Sequence, residues 1–244
     1  MGARITQANS RKPARSLTAG SRKQAEADAE PEPAEAGAEP QACGRLAGKA
    51  ARMSRSAAET REHVLGVAHE LFYWQGIRAT GVDRVAAEAG VAPTTLYRLF
   101  ASKDDLIAAY VERASGLYRE WFDAAAAAGG ADPRDQILAV FDALGEQVQP
   151  QYCRGCPFLM ALAEFPDPAH PAHRAAVAVK AWVRDRFGQL TATLADGLAA
   201  RPGLLADQLS LVMEGTYASA QALAADGPAR HARTVAELLL DVSR

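Results

Sequence analysis

The stretch TGVDRVAAEAGVAPTTLYRLF, Thr80 to Phe100, decides the fold of this chain. Ala86 is followed four residues later by Gly90, and six residues after that by Leu96. A small residue lets two helices approach closely, and a glycine supplies the positive φ of a tight turn. An apolar residue on the second helix packs back onto the first. The spacing therefore predicts a helix-turn-helix motif over about 80–99.

The polar residues of this motif are candidates for contact with DNA. Apolar positions commit one side of each helix to the core, so the polar side chains of 93–98 are expected to face outward. Hydroxyl and phenol groups donate to phosphates, and a guanidinium reaches a phosphate or a guanine edge. Thr80 is also expected to cap the helix that begins near Val82. The candidate DNA-contacting residues are Thr80, Thr94, Thr95, Tyr97, Arg98 and Lys103. An ordinary helical hairpin is the alternative, because short Ala/Gly patterns are common in an alanine-rich chain.

Almost every segment after residue 53 has helical periodicity, and no stretch alternates convincingly as a strand would. Ser102 is predicted to cap a helix, with Asp105 at its third position. The pattern predicts an all-α protein of about nine helices. Their expected ranges are about 58–75, 82–89, 93–99, from 102 onward, 133–149, a short helix within 153–165, 170–200, 203–225 and 229–242.

The segment from Thr60 to Val111 closely resembles the DNA-binding domain of TetR/AcrR-type transcriptional regulators. The resemblance lies in A-x-E-L-F, G-I-x-A-T-G-V, V-A-x-x-A-G-V, T-L-Y-R-x-F and S-K-x-x-L. It implies a dimeric one-component repressor with three N-terminal DNA-binding helices, followed by a helical ligand-binding and dimerisation domain. It also implies a palindromic double-stranded operator. By position, the candidate residues match phosphate contacts of the family, except that Arg98 matches a more variable position. Leu99 stands where the family often has histidine, so the operator sequence does not carry over.

Three regions follow from this organisation. Residues 1–52 form an Ala/Glu/Pro-rich tract with little to bury, predicted to be a disordered extension or the product of a start assigned upstream of Met53. Residues 57–117 are predicted to form the DNA-binding domain, and 118–244 the ligand-binding and dimerisation domain. The net charge is −2, and the chain has neither a long apolar run nor a secretory h-region. We therefore expect a soluble cytoplasmic protein with no membrane contact.

The C-terminal half contains candidates for an effector pocket. The segment Arg154 to Val177 resembles one branch of the same regulators, although Met160 replaces a residue that is often polar there. Aromatic and soft side chains collect in this half and are candidate pocket walls for a small apolar or amphipathic effector. Ordinary core packing is the alternative for each of them. The pocket candidates are Trp121, Phe122, Phe141, Phe158, Met160 and Trp182.

Cys153 and Cys156, followed by His170 and His173, raise two further hypotheses. A zinc site is one, although the spacing of the histidines is shorter than is usual in zinc fingers. A redox switch through the two cysteines is the other, and either would give a regulator that responds to metal or oxidant. Two ordinary thiols are the simpler interpretation, and we predict no metal and no cofactor. Cys43 lies in the N-terminal tract.

The last two predicted helices are suited to a four-helix interface in a homodimer. The interface candidates are Leu209, Met213, Tyr217, Leu238 and Leu239, with intramolecular core as the alternative. No nucleophile elbow, P-loop, dinucleotide fingerprint or H-E-x-x-H motif is present, so we do not predict an enzyme. The leading hypothesis is a dimeric repressor that a small molecule releases from DNA.

Overall fold

The computed structural model describes residues 56–194 and 202–242, and within these ranges it contains nine α-helices and no strand. The prediction of an all-α fold is confirmed. The predicted N-terminal extension, with Cys43, lies outside the described residues. The helices are α1 (Ala57–Gln75), α2 (Val82–Glu88), α3 (Pro93–Leu99), α4 (Lys103–Ala128), α5 (Pro133–Gln147), α6 (Pro157–Glu164), α7 (Pro171–Ala192), α8 (Pro202–Leu223) and α9 (Ala232–Val242).

Side-chain caps begin the two helices that frame the predicted motif. The backbone N–H of Glu59 donates to the Ser56 hydroxyl, and the Glu59 carboxylate accepts from the backbone N–H of Ser56, which completes a capping box at α1. Ser102 caps α4 as predicted, because its hydroxyl oxygen accepts from the backbone N–H of Asp105 at 3.1 Å. The Asp105 carboxylate accepts from the Ser102 hydroxyl in return.

Gly90 makes the turn between α2 and α3, as the spacing predicted. Its φ of +64° is in the left-handed region, where a glycine carries no Cβ penalty. The N–H of Gly90 donates to the carbonyl of Ala87, and the N–H of Val91 donates to the carbonyl of Ala86. This pair of bonds is a Schellman motif, which ends α2 and fixes the direction in which α3 leaves.

Four predicted helix boundaries were wrong. α5 ends at Gln147 and α8 at Leu223, each two residues before the predicted end, and α7 ends at Ala192. The Thr193 hydroxyl, just after α7, donates to the carbonyl of Leu190, a local bond that competes with continued helix. Two 3-10 turns, Ala224–Asp226 and Pro228–His231, separate α8 from α9, so α9 begins at 232 rather than 229.

α4 joins the predicted motif to the rest of the protein. It packs against α1 on one side and against α5 and α7 further along, so one unbroken helix belongs to both parts. α7 packs on α6 and α8, and α9 covers α5 and α8. All of the described residues fall within one compact unit. Among the helices in these ranges, none combines the length and the hydropathy needed to cross a membrane.

Several of the aromatic residues predicted to line a pocket pack against other aromatic rings of the core. Phe122 lies with its ring centre 5.5 Å from that of Trp182 and 5.2 Å from that of Phe187, and Phe141 stacks on Phe187 at 5.8 Å. Phe122, Phe141 and Phe158 are fully buried, whereas Trp121, Met160 and Trp182 are half-buried. Of the six, only Phe141 lines the cavity of about 350 Å³ between α5 and α9. Aromatic packing accounts for the burial of Phe122 and Phe141, and the role of the six residues as pocket walls stays a prediction.

Three of the five predicted interface residues were assigned wrongly. Leu209, Met213 and Tyr217 lie on the buried face of α8. The Met213 sulfur accepts a hydrogen bond from the Tyr118 hydroxyl of α4, and the Tyr217 hydroxyl donates to a side chain of α5. Helical periodicity identifies an apolar face but does not say whether the face meets its own chain or a second copy. The apolar side chains exposed on α8 and α9 are Leu204, Leu211, Leu223, Val235, Leu238 and Val242, while Leu239 is half-buried.

Candidate nucleic-acid interface

α3 has one buried side and one open side. Leu96 is fully buried and anchors the helix to α1 and α2, and Leu99 packs beside it. Thr94, Tyr97 and Arg98 occupy the open side, and the Tyr97 side chain is 50% exposed. The helix therefore presents a hydroxyl, a phenol and a guanidinium on one surface, which are groups that contact phosphates and base edges. Thr95 lies at the border of this surface and is half-buried.

Thr80 does not have the position that the sequence suggested. Its side chain is only 1% exposed, and its hydroxyl donates to the carbonyl of Gly76 at 2.8 Å. The residue before α2 is Gly81, and no side chain caps that helix. The cap prediction was therefore wrong, and the hydroxyl closes the turn after α1 instead of facing a phosphate. Because the Thr80 side chain is buried, its hydroxyl bonds to a backbone carbonyl of the preceding turn rather than to solvent.

Lys103 lies at the first position of α4, beside the turn that follows α1. Its ammonium donates to the carbonyl of Arg78 at 3.2 Å, and the side chain is half-buried. The Arg78 guanidinium lies 5.2 Å above the ring of Phe165, which belongs to the loop after α6. Lys103 is thus held close to the predicted DNA surface by a single exposed contact. Its role as a phosphate contact stays a prediction.

Two side chains of α1 that the sequence analysis did not single out support the motif. Nε2 of His63 lies 3.0 Å from the carbonyl oxygen of Ala89, a hydrogen bond that joins α1 to the end of α2. The Arg61 guanidinium lies 5.0 Å above the Phe100 ring, at the end of α3. Both contacts bridge residues far apart in sequence, so no local pattern could have identified them.

The loop before α6 is hydrogen-bonded to the end of α1 through Tyr73. The Tyr73 hydroxyl donates to the carbonyl of Gly155 at 2.9 Å and accepts from the backbone N–H of Arg154 at 2.7 Å. The Arg154 guanidinium donates in turn to the backbone carbonyl of Tyr73 at 2.7 Å. Burial raises the pKa of the Tyr73 phenol to about 12. We name these three bonds the Tyr73 contact.

The last residue of α6 binds the turn that follows α1. The two carboxylate oxygens of Glu164 accept from the backbone N–H groups of Ile77 and Arg78 at 3.0 and 2.6 Å. This carboxylate caps backbone groups on a segment 86 residues away in the sequence. We name these two bonds the Glu164 contact. Hydrogen bonds therefore link the loop before α6 to α1, and the last residue of α6 to the turn after α1.

The four residues of the zinc hypothesis are separated by α6. Cys153 and Cys156 precede the helix, whereas His170 and His173 follow it, and eight helical residues span about 12 Å. His173 bonds to the carbonyl of Phe165, and His170 accepts from a backbone N–H at the start of α7. Within residues 56–194 and 202–242, no three His, Cys, Asp or Glu side chains come together as metal ligands. The metal hypothesis gains no support.

Comparisons with known proteins agree with this architecture. Residues 64–110 match the model of the family described as bacterial regulatory proteins, tetR family. The chain is 30% identical over 155 residues to the HTH-type transcriptional regulator YjdC of Escherichia coli, an alignment that covers 64% of this chain and 80% of YjdC.

Two solved structures are similar over most of their own length. SCO4454, a TetR-family transcriptional regulator from Streptomyces coelicolor, superposes with a TM-score of 0.70 at 35% identity, covering 77% of this chain and 97% of that one. A TetR transcriptional regulator from Chloroflexus aurantiacus gives 0.58 at 28% identity, covering 77% and 93%. These relatives are regulators rather than enzymes, in agreement with the sequence analysis. The chain therefore belongs to the TetR family and is a helix-turn-helix transcriptional regulator.

Proposed function

We propose that the protein is a homodimeric repressor that binds a palindromic operator and is released by a small apolar or amphipathic effector. The open side of α3 is the observation that carries this proposal, because it exposes Thr94, Tyr97 and Arg98 while Leu96 holds the helix in place. Two such helices about 34–36 Å apart would enter successive major grooves on one side of the DNA.

The proposed domains are residues 57–117 for DNA binding and 118–244 for effector binding and dimerisation. The boundary falls inside α4, which runs unbroken from Lys103 to Ala128. A shift of this helix in the second domain would move the first domain with it. Effector binding would then favour a dimer in which the two α3 helices have the wrong spacing, and the affinity for DNA would fall by population shift.

The exposed apolar residues of α8 and α9 are proposed to form the dimer interface, in place of the buried residues named from the sequence. Leu204 and Leu211 lie seven residues apart, on the same face of α8, and Leu211 is 73% exposed. Leu238 and Val242 project from α9, which packs beside α8. Large apolar side chains exposed on two helices that pack side by side favour burial against a second copy.

The experiment combines the mass of the particle in solution with DNA binding. The purified chain should be dimeric by light scattering and should bind a DNA fragment from upstream of its own gene at low salt. Leu211→Arg should produce monomers and lower the DNA affinity by about 100-fold, because the second half-site contact is no longer intramolecular. Leu117→Arg, at an exposed leucine of α4, is the matched control and should leave the dimer and the DNA affinity unchanged.

Two results would count against the proposal. A Leu211→Arg protein that stays dimeric would exclude the α8–α9 surface as the interface. A wild-type protein that ignores the upstream fragment at low salt would argue against regulation of its own promoter region. The alternative of a regulator that responds to metal or oxidant through Cys153 and Cys156 gains no support from the part of the chain that the structure describes, where both thiols are free.

A further inference from the structure

A cleft of about 350 Å³ lies between α5 and the segment that runs from the end of α8 into α9. Its floor is apolar, because Phe141, Val148 and Ala229 line it and are buried. Arg230 and Arg233 also line the cleft, and both are exposed, so cationic groups lie at its opening. The volume is at the small end of the range for ligand sites in proteins. An apolar floor below a cationic opening suits a small molecule with one apolar part and one anionic part.

We propose that this cleft binds a small amphipathic carboxylate, and that the bound carboxylate weakens the binding of the regulator to DNA. The effect on DNA rests on the proposed function, whereas the location of the site and the class of its ligand do not. Of the six residues predicted to line an effector pocket, only Phe141 lies in this cleft. The site is therefore separate from the pocket that the sequence predicted.

Arg230 provides the cation for the carboxylate. Its guanidinium donates to the backbone carbonyl of Asp226, and its Nε–H donates to a ring nitrogen of His231 at 3.1 Å. Within residues 56–194 and 202–242, no carboxylate forms an ion pair with it. A guanidinium binds a carboxylate through two parallel hydrogen bonds, which fixes the orientation of the anion as well as its position.

The second arginine is already paired and links the two sides of the cleft. Arg233 of α9 binds the carboxylate of Asp142 on α5 at 2.8 Å and that of Glu237 at 3.2 Å. Asp142 lines the cleft too, and it would repel an anion if Arg233 did not neutralise it. Arg230 is then the cation that remains for a ligand. A carboxylate, with one negative charge, matches this single cation better than a phosphate ester, which carries nearly two.

Small residues leave room for the apolar part of the ligand. Gly145 of α5 lines the cleft, and a Cβ placed on it would meet no other atom within 4 Å. On the opposite side the lining includes Ala229 and Ala232. Because a larger side chain at Gly145 would project into open space, this position can be used to fill the cleft without a clash at the Cβ atom.

The backbone at one end of the cleft has a strained conformation. Ala224, the residue after α8, lines the cleft and has a φ of +52°, in the left-handed region that favours glycine. It is the one non-glycine residue with a positive φ in the part of the chain that the structure describes. A strained residue persists where its surroundings determine the conformation, and such residues cluster at binding sites. The strain therefore supports the cleft as a ligand site.

α9 connects the cleft to the proposed dimer interface. Arg233 and Thr234 line the cleft, whereas Val235 and Leu238 of the same helix are exposed apolar residues. A ligand that packs between α5 and α9 would change how α9 lies on α5. Since α9 also carries part of the proposed interface, the bound ligand would favour a different dimer geometry, and the DNA affinity would fall by population shift.

The experiment compares octanoate with octanol, which has the same apolar chain without the carboxylate. Isothermal titration calorimetry on the full chain should show octanoate binding at least tenfold more tightly, because only octanoate makes charged hydrogen bonds. Arg230→Gln should weaken octanoate binding by about tenfold and leave octanol binding unchanged. Arg184→Gln, at an exposed arginine of α7 outside the cleft, is the matched control and should bind octanoate as the wild type does.

A second pair of variants tests the location. Gly145→Leu fills the cleft and should weaken the binding of both octanoate and octanol at least tenfold. Gly116→Leu, on α4 and outside the cleft, is its control, because a Cβ at Gly116 also meets no other atom within 4 Å. Thermal unfolding should show that both variants are folded. Failure of octanoate to bind the wild type, or equal octanoate affinities of the wild type and Arg230→Gln, would overturn the carboxylate site. Undiminished binding to Gly145→Leu would place the octanoate outside the cleft.

DNA binding tests the regulatory part of the proposal. Saturating octanoate should weaken the binding of wild-type protein to the upstream fragment by about tenfold, and should have no effect on Gly145→Leu. Octanoate bound in the cleft with an unchanged DNA affinity would overturn the effector role. If the wild type does not bind the fragment even without octanoate, the proposed function fails and the effector role with it, but the calorimetry still decides the carboxylate site.

Discussion

α3 and α6 are two short helices that begin in the same way and are used differently. Each has a proline in its first turn and follows a residue whose side chain does not cap it. α3 is anchored through Leu96 and leaves its opposite side open. α6 buries Phe158, and the Tyr73 and Glu164 contacts link the loop before it to α1 and its last residue to the turn after α1. α3 is therefore suited to bind another molecule, and α6 is suited to transmit a displacement to α1 and the turn after it.

The dependence of α3 on one anchor predicts the largest effect. Leu96→Ala removes a fully buried side chain and should lower the free energy of unfolding by about 2–5 kcal/mol, since a cavity forms where the surrounding helices cannot collapse. Urea titration followed by circular dichroism measures this change. Leu99→Ala is the matched control, and a half-buried leucine should cost about half as much or less. Equal losses at the two positions would show that α3 has no single anchor.

The Glu164 contact predicts the next largest effect. Glu164→Ala leaves the N–H groups of Ile77 and Arg78 without their acceptors and should cost about 1.5–3 kcal/mol. DNA affinity should fall as well, because the turn that these groups belong to leads into α2. Glu164→Gln keeps one carbonyl oxygen and should lie between the alanine variant and the wild type. If the alanine variant matches the wild type in both stability and DNA affinity, α6 does not control the turn.

The sequence predicted features that depend on neighbouring residues far better than contacts between residues far apart in the chain. The positive φ of Gly90 and the Ser102 cap involve neighbours within five residues, so composition and spacing identified them. The Glu164 contact and the bond between Lys180 and Cys156 join residues 87 and 24 positions apart. No pattern in one sequence specifies such pairs. The prediction for Thr80 was wrong for a related reason. Its hydroxyl was expected to cap α2 and to contact a phosphate, whereas tertiary packing buries it and it donates to the carbonyl of Gly76.

The Tyr73 contact predicts an effect that depends on pH. Tyr73→Phe removes the hydroxyl and should lower the free energy of unfolding by about 1–2 kcal/mol near neutral pH. The folded-state pKa is raised from 10 to about 12, so the phenol stabilises the fold fully below pH 10 and loses this contribution as the pH rises towards 12. The difference between the two proteins should therefore shrink over that range. A constant difference would mean that the phenol is not buried as the structure has it.

The open side of α3 predicts the smallest and most specific effect. Tyr97→Phe removes one exposed hydroxyl and leaves the ring, so the free energy of unfolding should not change. If the hydroxyl donates to a phosphate, the loss of about 1 kcal/mol per protomer should weaken DNA binding by about fivefold for each α3. The same loss is expected on operator and unrelated DNA, because phosphate contacts carry no sequence information. Fluorescence anisotropy on both fragments measures it. A loss confined to the operator would assign Tyr97 to a base edge instead, and an unchanged affinity on both would leave Thr94 and Arg98 as the contacts of this face.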